Sequence, residues 1–364
     1  MSPSLPLPRG PLSRALIAHL VQGSPLAPDP ATAMAVDART DDDLQLALWC
    51  CYELHYHGFE GIDPALEWEP EILAFRANLE ARFEAALRDD HSPAALPTDP
   101  CVALRLISTW AGPPLARTVE QDGGIGHLRE LAIHRSAYQL KEADPHTWGI
   151  PRLSGRGRSA MIAIQADEYG SGRRGDAHAE IFAAAMRDLG LDDRFGHYVD
   201  RLPGTTLATD NLVSMFGLNR RLRGALVGHL ALFEMCSVVP MGRYLTAARG
   251  VGGLPALERF YEVHVEADFQ HARLALDEMV ASFARDEPDL APDMIFGAAA
   301  LSHVESRMAR AILRAWDDGR SSLLDPRPDT TAGPPPPAAK SGGGAGSGSQ
   351  RDRGRQPFPV AALR

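Results

Sequence analysis

Apolar residues recur at intervals of three and four through most of the first 320 residues of this chain. The stretch 69–90, EPEILAFRANLEARFEAALRDD, shows the pattern clearly. In an α-helix this spacing lines one face with apolar side chains, which can be buried against a neighbouring helix. Alternating patterns typical of a half-buried strand are nearly absent. The chain is therefore predicted to be all-α.

The positions of the helices follow from this periodicity and from helix start signals. TDDDLQLALWCCYELHY opens with Thr40 as the expected N-cap, and acids fill the first turn, where the helix dipole favours negative charge. A short helix is expected near 11–22. Further helices are predicted over 127–143, 153–172, 178–190, 208–248, 254–284 and 294–318.

The composition changes sharply after Asp325. The following segment is rich in proline, then in glycine and serine, and has too few apolar side chains to offset the entropy of ordering. Its last residues, FPVAALR, could form a short docking element, although so short an apolar segment usually has no role. The expected organisation is an irregular segment 1–30, an N-terminal helical segment 31–110 packing on the core, a core domain 111–325 and a disordered tail 326–364.

Charge and composition exclude several classes of protein. The formal net charge is -10 and no run of Lys or Arg occurs, so neither nucleic acid nor an anionic membrane surface is an expected partner. No apolar stretch is expected to reach the roughly 18 residues of a membrane span, and the N-terminal apolar run is too short for a signal peptide. The cysteines lack CxxC spacing and are expected to be buried, reduced thiols of a cytoplasmic protein: Cys50, Cys51, Cys101 and Cys236.

Three metal-ligand side chains share one stripe in EVHVEADFQHAR, residues 262–273. His264, Asp268 and His271 are separated by four and then three residues, so on a helix they fall within roughly 60° of one another. Glu266 and Arg273 lie off this stripe and are expected to face solvent. The alternative is an ordinary polar face with two hydrogen-bonded histidines.

Glu168 and His178 flank a glycine-rich stretch in IQADEYGSGRRGDAHAEIF. On an unbroken helix their spacing would leave them about 80° out of phase, but a break at the glycines would re-aim His178. The alternatives are a surface acid and a histidine at a helix start capped by Asp176. GSGRRG lacks the GK[ST] ending and the preceding strand of a phosphate loop.

Glu234 lies inside the strongly apolar GALVGHLALFEMCSVVPMGRYL. A buried carboxylate requires a cation, a hydrogen-bond network or protonation, and the metal interpretation is favoured here. His229, five residues earlier, is expected to pack near such a site without belonging to it.

Together these segments resemble the haem-oxygenase-like diiron oxidase/oxygenase superfamily, in particular its iron-containing redox enzyme branch. That branch has a Glu and a His around a glycine-containing stretch, a lone Glu on the next core helix, and then His-x3-Asp-x2-His. The matching residues are Glu168, His178, Glu234, His264, Asp268 and His271. The resemblance covers roughly 110–320. Some similar members add a carboxylate ligand upstream, for which Glu142 in YQLKEADPH is in a suitable place, although KEADP is also typical of a solvated helix end.

The resemblance implies a haem-oxygenase-like helical bundle holding two ferrous ions, with O2 as co-substrate and an external electron donor. The substrate would be a small metabolite, and N-oxygenation of an amine or amino-acid-like compound is favoured over carbon–carbon cleavage of an amino or fatty acid. Other hypotheses are a metal-free or haem-handling binding protein, a cofactorless oxidase, and an interaction protein that uses the tail. A homodimer is compatible with a helical protein of this size.

Three other kinds of metal site are disfavoured. Ferritin-like bundles use Glu-x2-His and zinc peptidases use His-Glu-x2-His, and the chain contains neither motif. In YELHYHGFE (52–60), His55 and His57 would point roughly 200° apart on a helix, and the aromatic surroundings favour packing.

Overall fold

A computed structural model describes residues 2–27, 36–90 and 96–325. Every regular element in these ranges is helical, which confirms the all-α prediction. The helices are α1 (Pro11–Gln22), α2 (Asp42–Glu53), α3 (Pro70–Asp89), α4 (Pro100–Ile107), α5 (Leu115–Asp122), α6 (Ile125–Gln139), α7 (Asp144–Thr147), α8 (Gly155–Glu168), α9 (His178–Asp188), α10 (Gly204–Leu218), α11 (Arg223–Val251), α12 (Pro255–Arg273), α13 (Ala281–Asp286) and α14 (Ala291–Asp317). The predicted tail 326–364 lies outside the described residues, and the predicted domain boundaries stay predictions.

The start of α2 differs by one residue from the sequence prediction. Asp41 is the N-cap and accepts a hydrogen bond from the Leu44 amide at 2.8 Å, so the assignment of Thr40 was wrong. The acids of the first turn are present as expected, and one of them also serves another helix. Asp43 accepts hydrogen bonds from the amides of Leu12 and Ser13 at the start of α1. The helix therefore begins after Asp41, because the carboxylate of this residue reaches a free amide of the first turn.

The region predicted as one helix over 208–248 is two helices. Asn219 adopts an extended conformation after α10, and a turn over Arg220–Leu222 leads into α11. The Asn219 side chain stabilises the break by donating to the carbonyl of Met215 and to the carboxylate of Glu80. The prediction was wrong because the apolar periodicity continues on both sides of a break that a tertiary contact stabilises.

The helix predicted over 254–284 contains a π-helical turn. The segment Leu274–Val280 joins α12 to α13 without a loop and follows directly after the α12 turn that carries His271. A π turn adds a residue to the helix and is frequent at functional sites. The periodicity of the sequence predicts a helix here but not its local widening.

Helix α11 is the centre of the bundle, where it packs against α12 and α14. Two glycines allow the approach to α14. A Cβ atom at Gly228 would lie 1.8 Å from the Met294 carbonyl oxygen, and one at Gly297 would lie 2.0 Å from the Ala225 carbonyl oxygen. Any side chain at either position would force these helices apart.

The burial of α11 also bears on the membrane prediction. By length and composition, one described helical stretch, 220–251, could cross a membrane, so the expectation that no stretch is long and apolar enough was wrong. Within the protein, 67% of its most apolar window is buried, as in the core helix of a bundle. The central position of α11 accounts for its apolar character.

The cysteines are only partly as predicted. All four are free thiols, and Cys50 and Cys51 are buried. Cys101 is half-buried and Cys236 is exposed, so the expectation of burial was wrong for these two. Cys236 lies on the side of α11 that faces a cleft rather than the core.

Candidate metal centre

The three residues of the α12 stripe all point into the bundle. His264, Asp268 and His271 are 3%, 2% and 5% exposed, whereas Glu266 and Arg273 are exposed, as the helical phase predicts. The stripe therefore places three ligand-type side chains against α8, α9 and α11, which supply the other members of the site.

The break between helices α8 and α9 brings Glu168 and His178 together. Glu168 is the last residue of α8, His178 is the first of α9, and the 3-10 turn Gly170–Gly172 lies between them. Glu168 Oε2 lies 2.7 Å from His178 Nδ1. Gly170 has a positive φ of 64°, and a Cβ there would lie 2.5 Å from the Ala177 amide nitrogen. The glycine-rich stretch thus re-aims His178, as proposed from the sequence.

The predicted N-cap role of Asp176 was wrong. The N-cap of α9 is Ala177, which offers no side-chain hydrogen bond. Asp176 instead pairs with Arg173 and, at 2.9 Å, with Arg259 of α12. An ion pair between the glycine-rich turn and α12 is therefore its observed contact.

Glu234 and Glu142 complete the set, each 4% exposed. Glu234 lies on the buried face of α11. Glu142 lies on the turn between α6 and α7, and neighbouring Lys141 is 2% exposed, so the interpretation of KEADP as a solvated helix end was wrong. All seven residues named from the sequence are buried.

These residues form two adjacent groups. In each, one potential ligand atom per residue lies within 4.8 Å of every other: the first group is Glu142, His178 and His264, and the second is Glu168, Glu234, Asp268 and His271. In the first group, His264 Nε2 lies 3.4 Å from Glu142 Oε2. The rings of His178 and His264 have centroids 4.5 Å apart. The contact of Glu168 with His178 joins this group to the second.

The second group surrounds one imidazole nitrogen with carboxylates. His271 Nδ1 lies 3.4 Å from Glu234 Oε2, 3.6 Å from Glu168 Oε1 and 3.8 Å from Asp268 Oδ1. The carboxylates come from α8, α11 and α12, so the packing of three helices creates this group.

Hydrogen bonds on the outer side of two imidazoles fix which nitrogen faces the groups. His264 Nδ1 lies 2.7 Å from the Phe260 carbonyl oxygen, and His271 Nε2 lies 3.0 Å from Asp167 Oδ2. Since a carbonyl or carboxylate oxygen accepts the hydrogen, His264 Nε2 and His271 Nδ1 are the nitrogens that would offer a lone pair to the groups in the neutral rings. Asp167 was missed from the sequence, because only the packing of α8 on α12 brings it to His271.

The electrostatics indicate an excess of negative charge. Burial raises the pKa of Glu234 to about 8, opposed in part by the nearby imidazole of His271. Burial alone would lower the pKa of His271, but the nearby carboxylates of Glu234, Glu168 and Asp268 raise it to about 9. For His264, the carboxylate of Glu142 likewise overcomes burial and raises the pKa to about 10. Protons held at these positions balance carboxylates that a cation could balance instead.

Unsatisfied polar atoms provide a test of whether these residues fit a metal. Five buried atoms of the two groups make no hydrogen bond: Glu142 Oε2, Glu168 Oε2, His178 Nδ1, His264 Nε2 and His271 Nδ1. Buried polar atoms are nearly always paired, so five such atoms in one place indicate a missing partner that accepts lone pairs. Imidazole nitrogens with carboxylate oxygens in a helical bundle suit iron. The residues therefore fit the metal that the resemblance implies.

Three further histidines, His55, His57 and His229, lie outside these groups. His229 Nδ1 is 3.1 Å from His146 Nε2, consistent with the expected packing role. His55 contacts Glu67, and His57 contacts Glu53 at 2.8 Å. Among the described residues, segment 52–60 contributes to neither group of potential ligands.

A buried ion cluster behind Glu142 was also missed from the sequence. Lys141 Nζ lies 3.1 Å from Glu53 Oε2 of α2 and 3.1 Å from Asp210 Oδ2 of α10. The three side chains are at most 1% exposed, and Lys141 also lies over the Tyr56 ring. The cluster fastens the turn that carries Glu142 to α2 and α10.

The fold and this centre define an all-helical protein with a buried histidine–carboxylate site. Residues 129–306, which include all seven site residues, match the sequence model of the family described as iron-containing redox enzymes. This match confirms the resemblance over residues 129–306, and the all-helical structure agrees with a haem-oxygenase-like fold. A comparison with curated proteins found no match. The match supports an iron-dependent oxidoreductase in general terms.

Proposed function

We propose that the protein is a non-haem diiron oxygenase or oxidase that uses O2 to oxidise a small metabolite. The observation that carries the proposal is the convergence of five buried polar atoms without hydrogen bonds in two adjacent ligand groups. Two groups, rather than one, favour two metal ions per chain. The family match supports iron as the metal.

The two groups suggest how the ligands would be divided. Glu142, His178 and His264 would hold one iron, and Glu168, Glu234, Asp268 and His271 the other. Glu168 also lies 2.7 Å from His178 of the first group, so its carboxylate would contribute to both groups. When bound, ferrous ions supply electrons for the reduction of O2, and an external donor would restore them.

The surrounding residues would orient the ligands and exclude water. The Phe260 carbonyl and the Asp167 carboxylate each hold one imidazole in the tautomer whose free nitrogen faces the site. Tyr138 and Phe233 line the small cavity beside the ligands, and their ring centroids are 5.4 Å apart. This aromatic lining would keep bulk water from the oxidising centre.

For the reaction itself, N-oxygenation of an amine or amino-acid-like substrate is the favoured form. Polar side chains lie next to the break between α8 and α9. The Tyr169 hydroxyl donates to Asp144 at 2.7 Å and lies 3.1 Å from the Thr147 hydroxyl. Oxidative carbon–carbon cleavage of an amino or fatty acid is the alternative. The mass of the product distinguishes the two, because N-oxygenation adds an oxygen atom and cleavage shortens the carbon skeleton.

A reaction with oxygen tests the proposal. Protein loaded anaerobically with ferrous iron should consume O2 and develop a transient visible absorption band on exposure to air. His264→Ala and Glu234→Ala should abolish both signals, because each removes a buried ligand. Exposed His197→Ala and Glu266→Ala are matched controls that should leave them unchanged. Unchanged O2 consumption in the ligand variants would contradict the proposal.

A further inference from the structure

A cleft of about 570 Å³ opens beside the metal centre. Its walls come from α6, α11 and α14, and the segment from Ile107 to Ala116 covers one side. Most of the lining is apolar, with Leu131, Leu232, Met241 and Leu301 among the side chains. Its volume is typical of pockets that bind small organic molecules.

One aromatic residue lines both this cleft and the small cavity beside the candidate iron ligands. Phe233 lines the cleft and also the small cavity bounded by Glu234, His264 and Asp268. Ser237, one turn after Glu234, lines the cleft as well and donates a hydrogen bond to the Glu234 carbonyl at 3.1 Å. A molecule in the cleft would therefore lie near the metal centre, on the other side of the Phe233 ring.

The charges of the cleft restrict what it can hold. Its charged side chains are Arg135 and Glu305, which bind each other through two hydrogen bonds of 2.8 and 2.6 Å. Because each neutralises the other, the lining offers no unpaired charge to a ligand. A zwitterionic amino acid would lose hydration in the cleft without gaining a charged partner.

A second opening, an acidic groove near His271, is less suited to bind the substrate. An open groove runs past His271 and Asp167 and carries the acids Glu266, Asp277 and Glu278. The nitrogen of His271 that is bonded to Asp167 is the one that points away from the ligand groups. A molecule in this groove would meet the outer side of the imidazole rather than its metal-facing nitrogen.

We propose that the cleft binds the organic substrate, and that this substrate is an amphiphile with an apolar alkyl or aryl body and one small polar end. The body lies among the apolar side chains of α6, α11 and α14, and the polar end reaches past Phe233 to the centre. The inference rests on the proposed function for the identification of this ligand as substrate, and it narrows the favoured substrates to apolar amines rather than free amino acids.

Binding to the metal-free protein tests the inference without any dependence on turnover. Calorimetric titration compares octylamine, octanoate and 1-octanol with lysine. Each buried methylene contributes about 0.8 kcal/mol, so at least one octyl compound should bind at least about tenfold more tightly than lysine. Lysine binding as tightly as the best octyl compound would overturn the inference. The preferred head group then discriminates the amine from the carboxylate reaction class.

Tryptophan substitutions that fill either the cleft or the acidic groove show where the octyl compounds bind. Cys236→Trp blocks the cleft and should weaken octyl binding at least about tenfold, whereas Ala163→Trp blocks the acidic groove and should not change it. The reverse result would overturn the proposal. Ser306→Trp, also in the cleft, replaces the first variant if that one does not fold. In the wild-type protein, failure of iron loading together with octyl binding would reject the proposed function alone, and absence of octyl binding together with normal iron loading would reject this inference alone.

Discussion

The imidazole of His271 donates its Nε2 hydrogen to the Asp167 carboxylate over 3.0 Å, while its Nδ1 faces three buried carboxylates. Partners of this kind typically contribute 10- to 100-fold to metal affinity, because they fix the tautomer of the ligand. Asp167→Asn should therefore weaken iron binding by about 10- to 100-fold in an anaerobic titration. Asp277→Asn, in the same groove, is the control. Equal affinities in the two variants would show that Asp167 has no such role.

The ion cluster behind Glu142 should contribute strongly to stability. Lys141→Met would leave the buried carboxylates of Glu53 and Asp210 without their cation, at a cost of about 3–5 kcal/mol in the free energy of unfolding. Denaturant unfolding measures this loss. Addition of Asp210→Asn to the first variant should recover part of it, because one uncompensated charge is removed. If the changes in the free energy of unfolding caused by the two substitutions were strictly additive, the proposed interaction within the cluster would be contradicted.

His134 should make the protein sensitive to acid. Its ring lies between the hydroxyls of Thr206 and Ser322, and burial lowers its pKa from 6.5 to about 3. Between these pH values the unfolded chain binds a proton that the folded protein does not, so the neutral histidine loses its contribution as the pH falls. The stability difference between the wild type and His134→Gln should thus be about 2 kcal/mol smaller at about pH 5 than at about pH 7.5. His197→Gln, at an exposed position, should show no such change.

Iron binding should release protons. In the metal-free protein the pKa of Glu234 is raised to about 8 by burial, and nearby carboxylates raise that of His271 to about 9. Iron must displace these protons, so its affinity should fall at least about tenfold as the pH drops from about 8 to about 7. Titrations in buffers with different ionisation enthalpies count the protons. An affinity independent of pH would contradict this description of the site.

The sequence predicted which candidate ligands are buried together far better than it predicted the contacts that support them. The spacing of His264, Asp268 and His271 determines a shared helical face, and such a face follows from local geometry alone. Lys141 and Asp167 could not be assigned in this way, because their partners lie on helices that are distant in sequence. The break at Asn219 was missed for the same reason: a carboxylate on α3 stabilises it.

The central claim is that two buried ligand groups hold two iron ions in each chain. Metal analysis after anaerobic loading with ferrous iron and removal of the excess tests it directly. We predict about two irons per chain for the wild type, and fewer for His264→Ala and for Glu234→Ala, one variant for each group. One iron or none in the wild-type protein would contradict the account.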